Sequence, residues 1–191
     1  MPKKKPPVYA QDSNKPHLGG NFLELNPSTH APEMWKFLIR EFNIKSVLDV
    51  GSGLGFAAKW FADNGVVTTA IDGLDYNVTN AIHPTTKVDL TETSYVADVD
   101  LVHCVEVVEH IEEKYLDNLL NTLCCGKYLV LTHGVPGQPG HHHVNCQPRE
   151  YWINHLKEKG YIEYPIISSK LKKLAKTAKD IKRTVMMFKR I

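Results

Sequence analysis

Short apolar segments alternate with amphipathic segments through most of the chain. The apolar segments are rich in Val, Leu and Ile and have the length of strands that are buried on both faces. The amphipathic segments carry apolar residues at helical spacing, as in Met34, Trp35, Leu38 and Ile39 ahead of the first strand. We predict strands at residues 45–50, 66–73, 87–90, 100–105, 127–132, 161–167 and 184–189. Because strands and helices alternate, the sequence predicts an α/β fold, a parallel sheet with helices on both faces.

The two ends of the chain depart from this pattern. Residues 1–18 contain four prolines, few apolar residues and no periodicity. We therefore predict a disordered basic N-terminal tail over residues 1–18 and a single domain over residues 19–191. Residues 170–182 are rich in lysine and form a connection between the last two predicted strands. We expect this connection to be helical.

The composition is that of a globular protein, with 42% hydrophobic and 23% charged residues in a chain of 191. No apolar run approaches the roughly 20 residues that a membrane helix needs. The basic first residues lack the apolar segment of a signal peptide, and the four cysteines show no Cys-x-x-Cys spacing. We therefore expect a cytoplasmic protein with reduced thiols and no membrane partner.

Charge is distributed unevenly along the chain. Residues 1–16 and 170–191 contain 13 of the 23 Lys and Arg residues, but only two acidic residues. The middle of the chain, residues 17–169, is acidic as a result. Basic ends of this kind either bind a polyanion such as a nucleic acid or form a solvated surface, and the second is the more common case.

A glycine-rich turn follows the first strand. Asp49 lies near the end of that strand, and Gly51, Gly53 and Gly55 follow before an amphipathic helix. Glycines permit a tight turn and let a ligand approach the backbone, and the helix N-terminus favours negative charge. Counted from Gly53, the pattern also fits a dinucleotide fingerprint, which leaves a nicotinamide or flavin cofactor open. The full form Asp-x-Gly-x-Gly-x-Gly resembles motif I of class I S-adenosylmethionine (SAM) methyltransferases.

This resemblance extends over residues 19–191 and implies a cofactor, SAM. It implies a Rossmann-like, doubly wound sheet of seven strands whose last strand is antiparallel. The second strand ends at Asp72, 23 residues beyond Asp49, where nucleotide-binding α/β folds place an acid for the ribose hydroxyls. The resemblance further implies that Asp89 and Leu90 contact the adenine. The predicted SAM-binding residues are Asp49, Gly51, Gly53, Gly55, Asp72, Asp89 and Leu90.

In such enzymes the segment ahead of the first helix often covers SAM. Gly19 and Gly20 are therefore expected either in a lid or in a plain connecting loop.

A carboxylate and histidine motif follows the fourth strand. Glu106, Glu109 and His110 have the spacing of one face of a starting helix, and a later histidine, His143, would complete a set of metal ligands. The Glu-x-x-Glu-His pattern resembles that of small-RNA 3′-end methyltransferases, and ubiquinone-pathway O-methyltransferases carry a similar one. We predict a divalent cation, Mg²⁺ or Mn²⁺, at these four residues. Many methyltransferases without a metal also have acidic residues and histidine at this place, so both alternatives stay open.

Histidines are also the candidate general bases. His110, His133 and His143 lie after the fourth and fifth strands, and His141 and His142 lie in the same His-rich and Gly-rich loop. Neutral imidazole suits proton removal near neutral pH. The sequence does not choose among these histidines.

We predict an enzyme, a SAM-dependent methyltransferase that methylates an oxygen of a small molecule such as a sugar or another metabolite. The alternative is metal-assisted methylation of an RNA ribose or RNA end, which rests on the Glu-x-x-Glu-His motif and on the basic residues of 170–183. A third hypothesis is a non-catalytic SAM-fold binding protein, but no missing residue supports it.

Overall fold

The computed structural model describes residues 9–12 and 14–191. The strands in this part of the chain are β1 (Tyr9–Gln11), β2 (Gly19–Phe22), β3 (Ser46–Val50), β4 (Val67–Asp72), β5 (Thr85–Lys87), β6 (Leu101–Cys104), β7 (Tyr128–Leu131), β8 (Tyr161–Glu163) and β9 (Met186–Arg190). The helices are α1 (Pro32–Phe42), α2 (Phe56–Asp63), α3 (Asp75–Asn80), α4 (Leu116–Leu123), α5 (Arg149–Glu158), α6 (Pro165–Leu174) and α7 (Lys179–Thr184). Two 3₁₀ turns, Val108–His110 and Glu113–Tyr115, precede α4.

Seven of the strands form one sheet in the order β5-β4-β3-β6-β7-β9-β8. Neighbouring strands from β5 to β7 are parallel, whereas β9 is antiparallel to both of its neighbours. The order changes direction between β3 and β6, which is where open α/β sheets bind ligands. The predicted Rossmann-like sheet of seven strands with an antiparallel last strand is confirmed.

Each face of the sheet is closed by its own layer of helices. On one face α4 and α5 contribute Leu119, Leu123 and Trp152 to a core that includes Leu48 of β3. On the other face α1, α2, α6 and α7 form a second core, in which Trp35 and Val47 are buried. Alternate residues of β3 therefore enter different cores, as the two-residue period of a strand requires. Among the described helices, none combines the length and the apolar character needed to cross a membrane.

Three elements differ from the sequence prediction. The third strand is Thr85–Lys87, so residues 88–90 lie in the loop after it and not in the strand. The strand predicted at 161–167 ends at Glu163, because Pro165 occupies the first turn of α6, a position that suits proline. The basic connection is helical as expected but consists of two helices, α6 and α7.

Regular structure begins earlier in the chain than the predicted domain boundary at residue 19. Within the predicted tail, residues 1–8 and 13 lie outside the described residues, but Tyr9–Gln11 forms β1 and pairs antiparallel with β2. The segment from residue 14 to residue 22, here called the N-terminal strap, lies against the carboxyl edge of the large sheet. Its Leu18 packs against Gly73 and its Gly20 against His141.

Candidate active site

A cavity of about 670 Å³ opens at the carboxyl ends of the parallel strands, and its volume lies in the range of small-molecule sites. Its lining includes the glycine loop and Asp72, as well as Glu106, His110 and His143. Some wall residues carry buried polar atoms without a hydrogen-bond partner among the described residues: His30 Nδ1, Asp49 Oδ2, Ser52 Oγ, His110 Nδ1 and His141 Nε2. Because buried polar groups are almost always paired, these atoms indicate a ligand site.

The glycine loop requires glycine for steric reasons. Gly51, Gly53 and Gly55 have φ angles of +63°, +57° and +79°, which place all three in the left-handed region that side chains disfavour. A Cβ atom at Gly51 would also collide with the Val107 side chain. The loop is fastened to the next strand, because Gly53 N–H donates to Asp72 Oδ2 at 2.8 Å. The backbone of this loop therefore has a fixed shape beside the cavity.

Asp72 ends β4 and is held by several donors. Its Oδ1 accepts hydrogen bonds from Leu74 N–H at 2.9 Å and from Asn77 Nδ2 at 3.1 Å, and the same Asn77 amide exchanges two hydrogen bonds with Asn21 of the N-terminal strap. Burial raises the pKa of the Asp72 carboxyl. A carboxylate has about four acceptor positions. The protein donors leave part of this capacity for a ligand hydroxyl.

Asp49 lies in the cavity wall and is paired with a residue that the sequence analysis missed. Asp49 Oδ1 lies 2.7 Å from Nδ1 of His103, which is in the centre of the sheet on β6. The sequence does contain a signal for His103, because it is a titratable residue inside an otherwise apolar strand.

Asp89 and Leu90 have different environments in the loop after β5. Leu90 lines the cavity, whereas Asp89 is bound by the N-terminal strap. Lys15 Nζ lies 3.0 Å from Asp89 Oδ2, and His17 Nε2 lies 3.0 Å from Oδ1. Burial acts to raise the pKa of Asp89, but hydrogen bonds from Thr91, Lys15 and His17 outweigh it and hold this pKa at about 2. In this conformation the carboxylate fastens the strap.

The predicted metal motif does not begin a regular helix. Glu106 has a left-handed φ of +55°, an uncommon conformation for a residue with a side chain, and only Val108–His110 forms a single 3₁₀ turn. The hydroxyl of Thr132 accepts from Glu106 N–H and donates to Glu106 Oε1, while Arg183 Nη2 lies 3.1 Å from Oε2. Burial raises the pKa of Glu106. Its carboxylate is therefore directed to Thr132 and Arg183.

Glu109, His110 and His143 come together beside the cavity. One ligand atom from each lies within 4.8 Å of the others, a geometry that suits a metal ion. Glu109 is fully buried, and neither of its carboxylate oxygens has a partner among the described residues. Burial, together with the nearby Glu106, raises the pKa of Glu109 to about 8, and burial with the nearby His143 lowers the pKa of His110 to about 4. The loop carbonyl of Gln138 lies 3.1 Å from His143 Nδ1, which leaves Nε2 as the free nitrogen.

The remaining candidate histidines are not part of this group of ligand atoms, although the His141 ring lies 6.4 Å from the His110 ring. His133 is buried at the end of β7, contacts the Gly134 carbonyl and does not line the cavity. Burial lowers its pKa. His141 lines the cavity, whereas His142 does not. Arg183 and Asn77, which line the cavity as well, were not predicted as site residues, because only the folded chain brings α7 and α3 to this edge.

Residues 48–131 match the model of a family described as a methyltransferase domain. The matched segment begins in β3 and ends with β7, so it includes the glycine loop, Asp72 and Glu109. A search of curated proteins gave no significant match.

Solved structures share the fold of the chain. A SAM-dependent methyltransferase from Archaeoglobus fulgidus has 15% sequence identity and a TM-score of 0.56, over 84% of this chain and 95% of that chain. Magnesium protoporphyrin IX methyltransferase from Synechocystis PCC 6803 with bound S-adenosylhomocysteine (SAH) has 14% identity and a TM-score of 0.59, over 82% of this chain and 80% of that one. The methyltransferase domain of bacterial CtHen1-C has 15% identity and a TM-score of 0.56, over 83% and 97% of the two chains. Identities this low establish a shared fold and not a shared acceptor.

The matched segment is that of a methyltransferase domain, and the whole sheet has the fold of solved SAM-dependent methyltransferases, as the sequence predicted. They support SAM as the cofactor over the nicotinamide or flavin alternative. The acceptor is a separate question, because the similar proteins differ in the substrates that their names give.

Proposed function

We propose that the protein transfers a methyl group from SAM to a hydroxyl oxygen of a small molecule, such as a sugar or another metabolite. One observation carries this proposal: a single cavity joins the glycine loop and Asp72 to His110 and His143, which cluster with the buried Glu109 behind the cavity wall. The first group of residues suits the cofactor, and the second offers oxygen and nitrogen lone pairs to an acceptor. A cavity of about 670 Å³ accommodates small molecules without a separate substrate domain.

The cofactor side of the cavity has the features that a nucleoside with an amino acid tail requires. We assign Asp49, Gly51, Gly53, Gly55, Asp72 and Leu90 to SAM, because all except Gly55 line the cavity and Gly55 caps α2 beside it. Asp72 offers acceptor oxygens to the ribose hydroxyls. Leu18, Val88 and Leu90 provide apolar surface for the adenine. Asp89 is assigned indirectly, as the residue that fastens the N-terminal strap over this region.

The cluster of Glu109, His110 and His143 fits a divalent cation. The buried Glu109 carboxylate has no partner among the described residues, and His143 Nδ1 is occupied by a carbonyl so that Nε2 is free. A bound cation would lower the pKa of an acceptor hydroxyl. The mixed carboxylate and imidazole donors suit Mn²⁺ better than Mg²⁺, which prefers oxygen ligands and water. Glu106 is a further ligand only after its carboxylate leaves Arg183.

The protonation state of His110 bears on whether it acts as a metal ligand or as the general base. Burial lowers its pKa to about 4, so its ring is neutral at physiological pH. An imidazole with so low a pKa is a weak base, because a general base works best when its pKa is near the operating pH. This favours His110 as a ligand or hydrogen-bond acceptor over His110 as the general base.

The direct experiment is a screen of fractionated cell extract with methyl-labelled SAM. We expect the protein to label a compound of low molecular weight, to lose this activity in excess chelator and to regain it with Mn²⁺. Transfer of label into RNA, with none into small molecules, would contradict the proposed acceptor class. Full activity in chelator would contradict the metal.

A second candidate, methylation of an RNA ribose or end, is favoured by the exposed lysines of α6 and α7. Lys176, Lys179 and Lys182 lack ion-pair partners among the described residues, and Arg183 on the same segment lines the cavity. Binding through phosphates weakens steeply with salt. Fluorescence anisotropy with a labelled RNA oligonucleotide tests this candidate. RNA binding that is absent even at low salt excludes it.

A further inference from the structure

Three buried side chains from three elements form one hydrogen-bonded line along the wall of the cavity, and all three are among its lining residues. Asp49 of β3 and His103 of β6 are register partners in the parallel ladder, so both side chains point to the face that α1 covers. Trp35 of α1 donates its indole Nε1–H to His103 Nε2 at 3.1 Å. His103 Nδ1 in turn lies 2.7 Å from Asp49 Oδ1. The exposed fractions of Trp35, His103 and Asp49 are 0%, 2% and 3%.

The indole fixes the tautomer of His103. An indole nitrogen is a donor only, so His103 Nε2 accepts and carries no proton. The proton of a neutral imidazole is then on Nδ1, from which it is donated to Asp49.

Trp35 has little freedom to move. Its ring makes an edge contact with His30 at a centroid distance of 4.9 Å, and it packs against Trp60 at 5.2 Å and Phe61 at 5.5 Å. The donor at the start of the line is therefore held in place by the aromatic core between α1 and α2.

We propose that Trp35 and His103 are positioning residues, which orient the carboxylate of Asp49 toward the cationic part of the cofactor. Asp49 Oδ2 is screened from water and has no partner among the described residues, and Asp49 lines the cavity. A charge that water does not screen acts strongly on a ligand cation nearby. This inference rests on the proposed use of SAM, which carries a sulfonium and an ammonium cation.

Three ligands of graded charge distinguish this role from a purely structural one. SAM carries both cations, SAH keeps only the ammonium group, and methylthioadenosine has neither. A loss of shape in the pocket weakens all three ligands, whereas a loss of directed negative charge weakens them in the order of their positive charge.

The variants are His103→Leu, His103→Asn and Trp35→Phe, with Trp60→Phe as the matched control. His103→Leu removes the donor to Asp49, whereas the amide of His103→Asn keeps an N–H near the position of Nδ1. Trp35→Phe keeps an aromatic ring but removes the N–H that donates to His103 Nε2. Either tautomer of the His103 ring can then form. Trp60 packs against the same ring of Trp35 without lining the cavity, so Trp60→Phe reports the cost of a smaller aromatic side chain in this core.

Calorimetry is expected to show SAM binding weakened at least about tenfold by His103→Leu, SAH weakened less, and methylthioadenosine changed by less than about twofold. We expect His103→Asn to recover most of the SAM affinity and Trp60→Phe to match the wild type. The SAM affinity of Trp35→Phe is expected to lie between those of His103→Leu and the wild type. Nitrogen NMR of the wild-type imidazole is expected to show protonated Nδ1, and Trp35→Phe a mixture of tautomers.

Equal weakening of all three ligands by His103→Leu, or protonated Nε2 in the wild type, would overturn the inference while SAM binding by the wild type stands. If the wild type binds none of the three ligands, the proposed function fails and the inference fails with it. If His103→Leu does not fold, the order in which Trp35→Phe weakens the three ligands, together with the NMR tautomer, still decides between the two roles.

Discussion

Gly51 and Gly65 share a left-handed backbone conformation but differ in what surrounds them. Their φ angles are +63° and +79°, so an alanine at either site costs about 1 kcal/mol of backbone strain. A Cβ at Gly51 collides with Val107, whereas a Cβ at Gly65 meets nothing within 4 Å. We expect Gly51→Ala to displace the glycine loop and weaken SAM binding at least about tenfold, and Gly65→Ala to leave it unchanged. Calorimetry with SAM checks this, and wild-type affinity in Gly51→Ala would show that the loop does not contact the cofactor.

The cluster beside the cavity gives a second prediction for single residues. Glu109→Gln and His143→Ala each remove one proposed metal ligand, and we expect turnover to fall at least about a hundredfold and bound Mn²⁺ to be lost. SAM affinity should stay within about twofold, because neither residue belongs to the group assigned to the cofactor. His155→Ala is the control, since this histidine lies on α5 and pairs with Glu158. Elemental analysis and label transfer are the measurements, and unchanged turnover in both variants would remove the metal from the mechanism.

At the scale of an element, the N-terminal strap is fastened through one carboxylate. The pKa of Asp89 is about 2 in the folded protein, against about 3.9 in an unfolded chain. A lowered carboxyl pKa stabilises the fold fully above about pH 4, and this contribution is lost as the pH falls through about 2. Asp89→Asn is therefore expected to lower the free energy of unfolding by about 1 kcal/mol at pH 7 and to flatten its decline between about pH 4 and pH 2. Urea titrations across this range are the test, with the exposed Asp98→Asn as control. A decline as steep as that of the wild type would show that Lys15 and His17 do not stabilise the strap through Asp89.

The sequence predicted the elements whose signal is local. The strands β3, β4, β6 and β7 were predicted because each is rich in apolar or β-branched residues, and Asp72 because of its distance from Asp49. The short β5 was misplaced because Thr85–Lys87 is mostly exposed and carries no apolar signature. The apolar run after β8 was read as strand although Pro165 begins a helix there.

The sequence also predicted part of the candidate site. Glu109, His110 and His143 were predicted as ligands and lie together. Glu106 is near Glu109 but outside the group of ligand atoms, because its carboxylate is directed to Thr132 and Arg183. The line from Trp35 through His103 to Asp49 joins residues that are far apart in the chain, and no local pattern contains it.

At the scale of the whole molecule, the two cores hold the sheet rigid while its carboxyl edge carries the chemistry. In the part of the chain that the structure describes, most buried polar atoms without a hydrogen-bond partner lie at or beside the cavity, whereas both faces of the sheet are closed by apolar helices. The lysines of α6 and α7 lie on the outside of one of these layers, on the same segment as Arg183 at the cavity. This arrangement supports one ligand site that cofactor and acceptor share.

Calorimetric titration of the purified protein with SAM, SAH and NAD tests the central claim most directly. We expect SAM and SAH to bind one site per chain with similar affinities and NAD to give no heat of binding. Gly51→Ala serves as the variant that loses the site while the sheet stays folded. Tighter binding of NAD than of SAM, or no binding of SAM and SAH at all, would contradict the assignment of this protein as a SAM-dependent methyltransferase.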